Sequence, residues 1–169
     1  MVLTAPELIG ALQHEVRVLS HLVSKVDPAQ LEYRPTPKQR STLELLRYLS
    51  MMGPTMIRFA MKKPGDDMNA IWGAAAKEAE GRNLEQLAAA IAAQGDEYAA
   101  LLGPLTDADY RAEFDGFTGK TTLGPFLVNL VLGGHAAYRM QLFCYLKAGG
   151  REDLVTSNLW AGMDPQPKA

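Results

Sequence analysis

Apolar residues recur at spacings of three and four almost from the start of the chain. Leu8, Leu12, Val16, Leu19, Val23 and Val26 draw one stripe. It predicts a first helix opening after Thr4, a capping residue, with Pro6 in its first turn. Asp27-Pro28 ends this helix, and residues 29–40, with Pro35 and Pro37, predict an ordered non-helical connection. A second helix opens at Ser41, where Ser41 followed by Glu44 has the spacing of a capping box. Its stripe is Leu45, Leu49, Met52, Met56 and Ala60, and Pro54 inside the pattern predicts a kink near Gly53, because proline has no amide proton to donate. Asn83 caps a third helix carrying Leu84, Leu87, Ile91, Tyr98, Leu101 and Leu102. A fourth runs from Thr121 to Ala148, with Pro125 in its first turn and Gly149-Gly150 beyond its end.

The stretch between the second and third helices, Gly65 to Arg82, is long and holds a short helix around Ile71 to Glu80. Asp107 to Lys120 is charged and glycine-containing, and reads as a surface loop. Four main helices with one long connection after the second predict an all-α four-helix bundle with a crossover. In the fourth helix Phe126, Leu130, Gly133, Ala137, Met140 and Cys144 form the expected core stripe. The opposite side is apolar too, with Val128, Leu142 and Leu146 beside His135 and Arg139. A helix apolar nearly all round is buried on more than one side, by the C-terminal segment or by a second copy. A homodimer is the expected partner arrangement. The tail, residues 161–169, is expected to fray.

At 169 residues the chain fits one domain spanning residues 1–169. Ala, Leu and Met dominate over Val, Ile and Thr, which favours helices because unbranched side chains lose little rotamer freedom there. A formal net charge of -2 provides no field for nucleic acid or an anionic membrane, and neither is an expected partner. No apolar run reaches bilayer-spanning length without polar interruption. Cys144 is the one cysteine, which excludes an internal disulfide and suits a reducing compartment. Residues 1–6 lack a basic region followed by an apolar run, so the expected location is cytoplasmic.

Two segments carry a family resemblance. The first is Arg34-Pro35 followed by Arg40-Ser41-Thr42-Leu43-Glu44-Leu45-Leu46-Arg47-Tyr48-Leu49. The second is His135-Ala136-Ala137-Tyr138-Arg139-Met140-Gln141-Leu142-Phe143-Cys144-Tyr145-Leu146, followed by Gly149. In order and spacing they resemble the DinB/YfiT-like proteins, the first matching an S-x-x-E-L-L-x-H-L opening and the second an H-x-x-x-H-R-G-Q-x-x-x-Y-L signature. The resemblance implies a four-helix bundle in which one histidine of the second helix and two of the last, four residues apart, hold a divalent metal. Residues four apart lie one above the other on a helix, so both imidazoles reach one ion. Anchored on Arg139, Gln141 and Tyr145, those positions fall on Tyr48, Gly134 and Tyr138. A shifted alignment puts His135 and Arg139 at the paired positions, and arginine has no lone pair to give a metal. Neither register rebuilds the triad, so the expected metal and cofactor set is empty.

If the old centre persists as a pocket, Tyr48 and Tyr138 could orient a polar ligand and Arg139 could pair with a carboxylate or phosphate. If it does not, the two aromatics fill the space. His135, Glu44, Trp72 and Trp160 complete the candidate pocket, although packing alone would explain both tryptophans and a buried hydrogen bond would explain His135. His14 and His21 share a face expected to be solvent-exposed. Cys144, on the core stripe without a basic neighbour, reads as inert. Arg34, Lys38, Arg40 and Arg47 form a solvated basic cluster without the aromatic interleaving of a nucleic-acid platform. These residues predict a metal-independent protein binding a small ligand or partner through the bundle. The resemblance implies one alternative, a transferase acting on a low-molecular-weight thiol; the apolar fourth helix implies another, a non-enzymatic dimeric interaction protein.

Overall fold

The helix starts are decided locally. Thr4 caps α1 (Ala5–Val23), and its side chain and that of Glu7 each satisfy the other's backbone amide. Ser41 and Glu44 do the same for α2 (Thr42–Leu49), and Asn83 and Gln86 for α5 (Leu84–Leu102). Such caps are each worth about 1 kcal/mol. The computed structural model describes residues 3–63 and 65–166. Within them α2 breaks at Ser50–Met51, and α3 (Met52–Ala60) restarts with Pro54 in its first turn, where a missing amide costs nothing. The predicted kink is therefore a full break, three residues ahead of the proline.

The crossover contains α4 (Met68–Glu80), capped by Asp67. The bundle is built by α1, the α2–α3 pair, α5 and the last long helix, α1 packing most extensively on α5. Its apolar core lies in two clusters. One gathers Leu19, Leu22, Leu45, Leu46, Leu49, Leu87, Ile91, Leu142 and Leu146. The other gathers Leu8, Leu12, Val16, Ile57, Tyr98, Leu102, Leu127 and Val131. Each fully buried leucine contributes about 1.5–3 kcal/mol.

The segment expected to be a loop, Asp107 to Lys120, is instead ordered. It forms α6 (Asp107–Arg111) and an antiparallel hairpin of β1 (Glu113–Gly116) and β2 (Gly119–Thr122), with Gly116 opposite Gly119. Gly119 takes φ +116, open to glycine and hostile to other residues. Charge and glycine disguised a hairpin held by its aromatics. Phe117 stacks on Phe59 at 4.4 Å between centroids, and Phe114 meets Phe126 edge-on at 5.1 Å.

The last long helix is not uniformly α. After α7 (Leu123–Phe126) comes a π-helical stretch, Leu127–Leu132, and then α8 (Gly133–Ala148). With i→i+5 bonds the π stretch holds about one more residue per turn, so inward positions beyond it fall later in the sequence. Val131, His135, Arg139, Leu142, Tyr145 and Leu146 are buried. Leu130, Gly133, Ala137, Met140 and Cys144, the expected core stripe, are exposed. Cys144 is thus a surface thiol rather than a core one.

The chain beyond Arg151 packs back on α1 through α9 (Thr156–Trp160). His14 and His21, expected to face solvent, hold it. His14 Nε2 lies 3.0 Å from the Trp160 carbonyl, and His21 Nε2 lies 3.0 Å from Asn158 Nδ2. Asp164, in the tail expected to fray, pairs with Lys25 at 2.6 Å, and residues 167–169 lie outside the described residues. Gly162 allows the close approach, since a Cβ there would sit 3.0 Å from the Val18 backbone. No helix among the described residues is long and apolar enough to cross a membrane.

Candidate functional site

The seven candidate residues divide among three places. Tyr48, on the last turn of α2, meets Tyr138 of α8 edge-on at 5.0 Å and Trp72 of α4 at 6.1 Å. The Arg40 guanidinium covers the Tyr48 ring at 4.3 Å. Gly134 faces Met52, whose Cε would lie 3.1 Å from a Cβ at that position. Tyr48 and Tyr138 are thus in contact, and Met52 fills the space beside Gly134. Gly134 has no donor, and burial together with the Tyr138 phenol pushes the Tyr48 hydroxyl up to about 12, so it stays neutral at physiological pH. These residues do not fit a divalent metal. Among the described residues no group of three or more His, Cys, Asp or Glu is placed to hold one.

What stays open on that side is a shallow cleft of about 260 Å³ lined by Glu44, Arg47, Tyr48, Met51, Trp72 and Glu80. Its polar groups are mostly engaged. Glu44 caps α2 and pairs with Arg34, and Arg47 donates to the Glu80 carbonyl.

His135 lies between the two apolar clusters, in a buried polar chain running from α2 through α5 to α8. Gln94 Nε2 donates to the Leu49 carbonyl at 2.7 Å, the Tyr98 hydroxyl donates to Gln94 Oε1 at 2.9 Å, and the Tyr98 oxygen lies 2.5 Å from His135 Nε2. With the one phenolic proton directed to Gln94, His135 must donate from Nε2, which leaves Nδ1 as a bare lone pair. Nδ1 is buried without a partner, and burial pushes the His135 pKa down to about 4. Gly53 makes this arrangement possible: a Cβ there would lie 1.7 Å from the Tyr98 hydroxyl.

Arg139 points to the opposite side of α8, toward α1. It is 3 % exposed, and Nη1 lies 3.3 Å from Glu15 Oε2. Yet neither atom has a hydrogen-bond partner, and Arg139 Nε has none either. The charges are adjacent but the N–H bonds do not point at the carboxylate. Leaving such buried groups unpaired costs about 1–3 kcal/mol each. Burial also raises the Glu15 pKa, against the lowering effect of Arg139 and His14. Trp160 of α9 lies over the guanidinium at 4.9 Å. Arg139 and Glu15 form part of the wall of a cleft of about 810 Å³, whose apolar lining includes Val128, Leu132, Met140, Leu159 and Trp160. A large apolar hollow with one unsatisfied charged donor is the usual form of a small-molecule site. Sequence reasoning missed Glu15, although it lies in phase with Leu8, Leu12 and Leu19 on the buried stripe, where an acid without a partner is costly.

No protein-family model and no curated protein matches the sequence. Solved structures do. The chain superposes on a DinB-like protein of Bacillus subtilis with a TM-score of 0.64 at 19% identity, covering 88% of this chain and 95% of that one. The fold is DinB-like. A protein from Exiguobacterium sibiricum described as a DinB-family member gives a TM-score of 0.69, also at 19% identity, over 91% of this chain and 98% of that one. The helical bundle anticipated from the sequence is thus shown.

Proposed function

We propose that this DinB-like chain is a metal-independent protein that binds a small organic molecule, and that the ligand enters the cleft between α1, α8 and α9 rather than the former metal centre. The observation that carries this reading is Arg139: more than nine-tenths buried, unsatisfied, and lining a mostly apolar hollow of about 810 Å³. The filled contact of Tyr48 with Tyr138 and of Met52 with Gly134 supports the same choice from the other side. The test uses dodecanol as a neutral apolar probe in the presence of EDTA. At a hundredfold excess over Kd the melting temperature rises by roughly 5–10 °C. In the cleft-filling variant Ala136→Trp the rise is lost. A rise that requires added zinc or nickel, or one that survives in Ala136→Trp, overturns the proposal.

A second reading, homodimerisation, is favoured by the outer face of the last helix. Leu130, Gly133, Ala137, Met140 and Cys144 recur at three and four, yet all are exposed, Met140 by 48%. Pairing two such stripes about a two-fold axis would remove them from water. Gly133 and Met140 also rim the cleft, so the second copy would form part of its wall. Light scattering of the purified chain is expected to give a dimer mass, and Ala137→Glu a monomer. A monomeric wild type ends this reading.

A further inference from the structure

We propose that the cleft selects an amphipathic carboxylic acid, a linear or aryl acid whose carboxylate takes the free edge of Arg139 and whose apolar body lies along Trp160, Met140, Leu132 and Val128. This rests on the cleft being the ligand site, and it adds the chemical class.

Three features of the wall carry the inference. Arg139 presents donors that nothing satisfies: Nε and Nη1, on different edges of the guanidinium, are buried and unpartnered, so a carboxylate oxygen that reaches either meets a donor already desolvated. The indole of Trp160 lies over the guanidinium at 4.9 Å, so a ligand that reaches Arg139 also meets an aromatic surface. Apart from His14 and Glu15 the rest of the wall is apolar, which disfavours small hydrophilic anions such as free phosphate, because they cannot cover it.

Glu15 is the competing acceptor. Its Oε2 lies 3.3 Å from Arg139 Nη1 without a hydrogen bond, so it neutralises the cation without occupying the donors. A ligand carboxylate at the same guanidinium would meet Glu15 as a like charge, and burial already raises the Glu15 pKa. An ammonium amphiphile would need Glu15 charged and would meet Arg139 as a like charge. The same wall therefore rejects it.

The experiment compares dodecanoate, dodecanol and dodecylammonium by isothermal titration below their micellar concentrations. Dodecanoate is expected to bind at least tenfold more tightly than dodecanol, and dodecylammonium more weakly than either. In Arg139→Met the preference of dodecanoate over dodecanol falls to about one. If removal of the buried cation prevents folding, the double variant Glu15→Gln/Arg139→Met removes both charges and reads the same ratio. Glu15→Gln alone, which keeps Arg139 and removes the rival negative charge, is expected to tighten dodecanoate. Equal affinity for dodecanoate and dodecanol overturns the acid class while leaving the cleft as a binding site. Preference for dodecylammonium overturns it in favour of Glu15 as the recognising group. Failure of all three probes removes the cleft itself, and this inference with it.

Discussion

Replacing Gly53 by alanine is expected to destabilise the protein by about 3 kcal/mol, the upper end of what overpacking costs. A Cβ at this position would lie 1.7 Å from the Tyr98 hydroxyl and 2.9 Å from His135 Nε2. Neither group can retreat. Tyr98 is fully buried and tied to Gln94, which is tied to the Leu49 carbonyl, so moving the phenol breaks the chain of bonds at its middle. Urea denaturation measures the loss as a lower midpoint. In the Gly53→Ala background, Tyr98→Phe should recover part of the loss, about 1 kcal/mol, since it removes the clashing oxygen while leaving Gln94 and His135 unpaired. Full additivity of the two substitutions would mean that the side chains do not meet.

Acid should destabilise the fold through His135 as pH falls below about 6.5. Its pKa stands at about 4 in the folded chain against 6.5 for an ordinary histidine, because burial penalises the imidazolium. The unfolded chain therefore binds the proton first. Stability is complete above about pH 6.5 and declines as pH falls toward 4, by about 3 kcal/mol in all. The structure also supplies the local reason. A proton could enter only at Nδ1, which has no acceptor within reach, while Nε2 is committed to Tyr98. Urea midpoints measured between pH 7 and pH 4 should show this decline, and His135→Gln should flatten it. A slope of the same size in His135→Gln would assign the effect to other groups.

Legibility followed the range of the interactions. The caps at Thr4, Ser41 and Asn83 depend on residues three apart, and all three could be read before any fold was known. The stripe of α1 was equally plain, because an uninterrupted α-helix keeps its phase. The face of α8 was not, since the π stretch before it shifts the phase and no residue type announces such a stretch. Leu130, Ala137 and Met140 consequently looked internal and are external. The hairpin was hidden for a different reason: Phe114 and Phe117 find their partners, Phe126 and Phe59, on other elements. At the candidate site, Tyr48 and Tyr138 are neighbours as the motif spacing implied. Arg139 and Trp160 form a separate pair across α8, and nothing in their sequence separation predicts that they meet.

The π stretch also bears on how related chains should be compared. A regular α-helix in its place would present the same inward face with about one residue fewer, so relatives of this chain can differ in length inside the helix rather than in a loop. An ungapped alignment across 127–132 would then turn each later position of α8 by about 100° relative to its counterpart, and a histidine would be scored against the wrong neighbour. Insertion of a single residue can thus redistribute, without any substitution, which side chains of α8 meet the core, the cleft or the outer face.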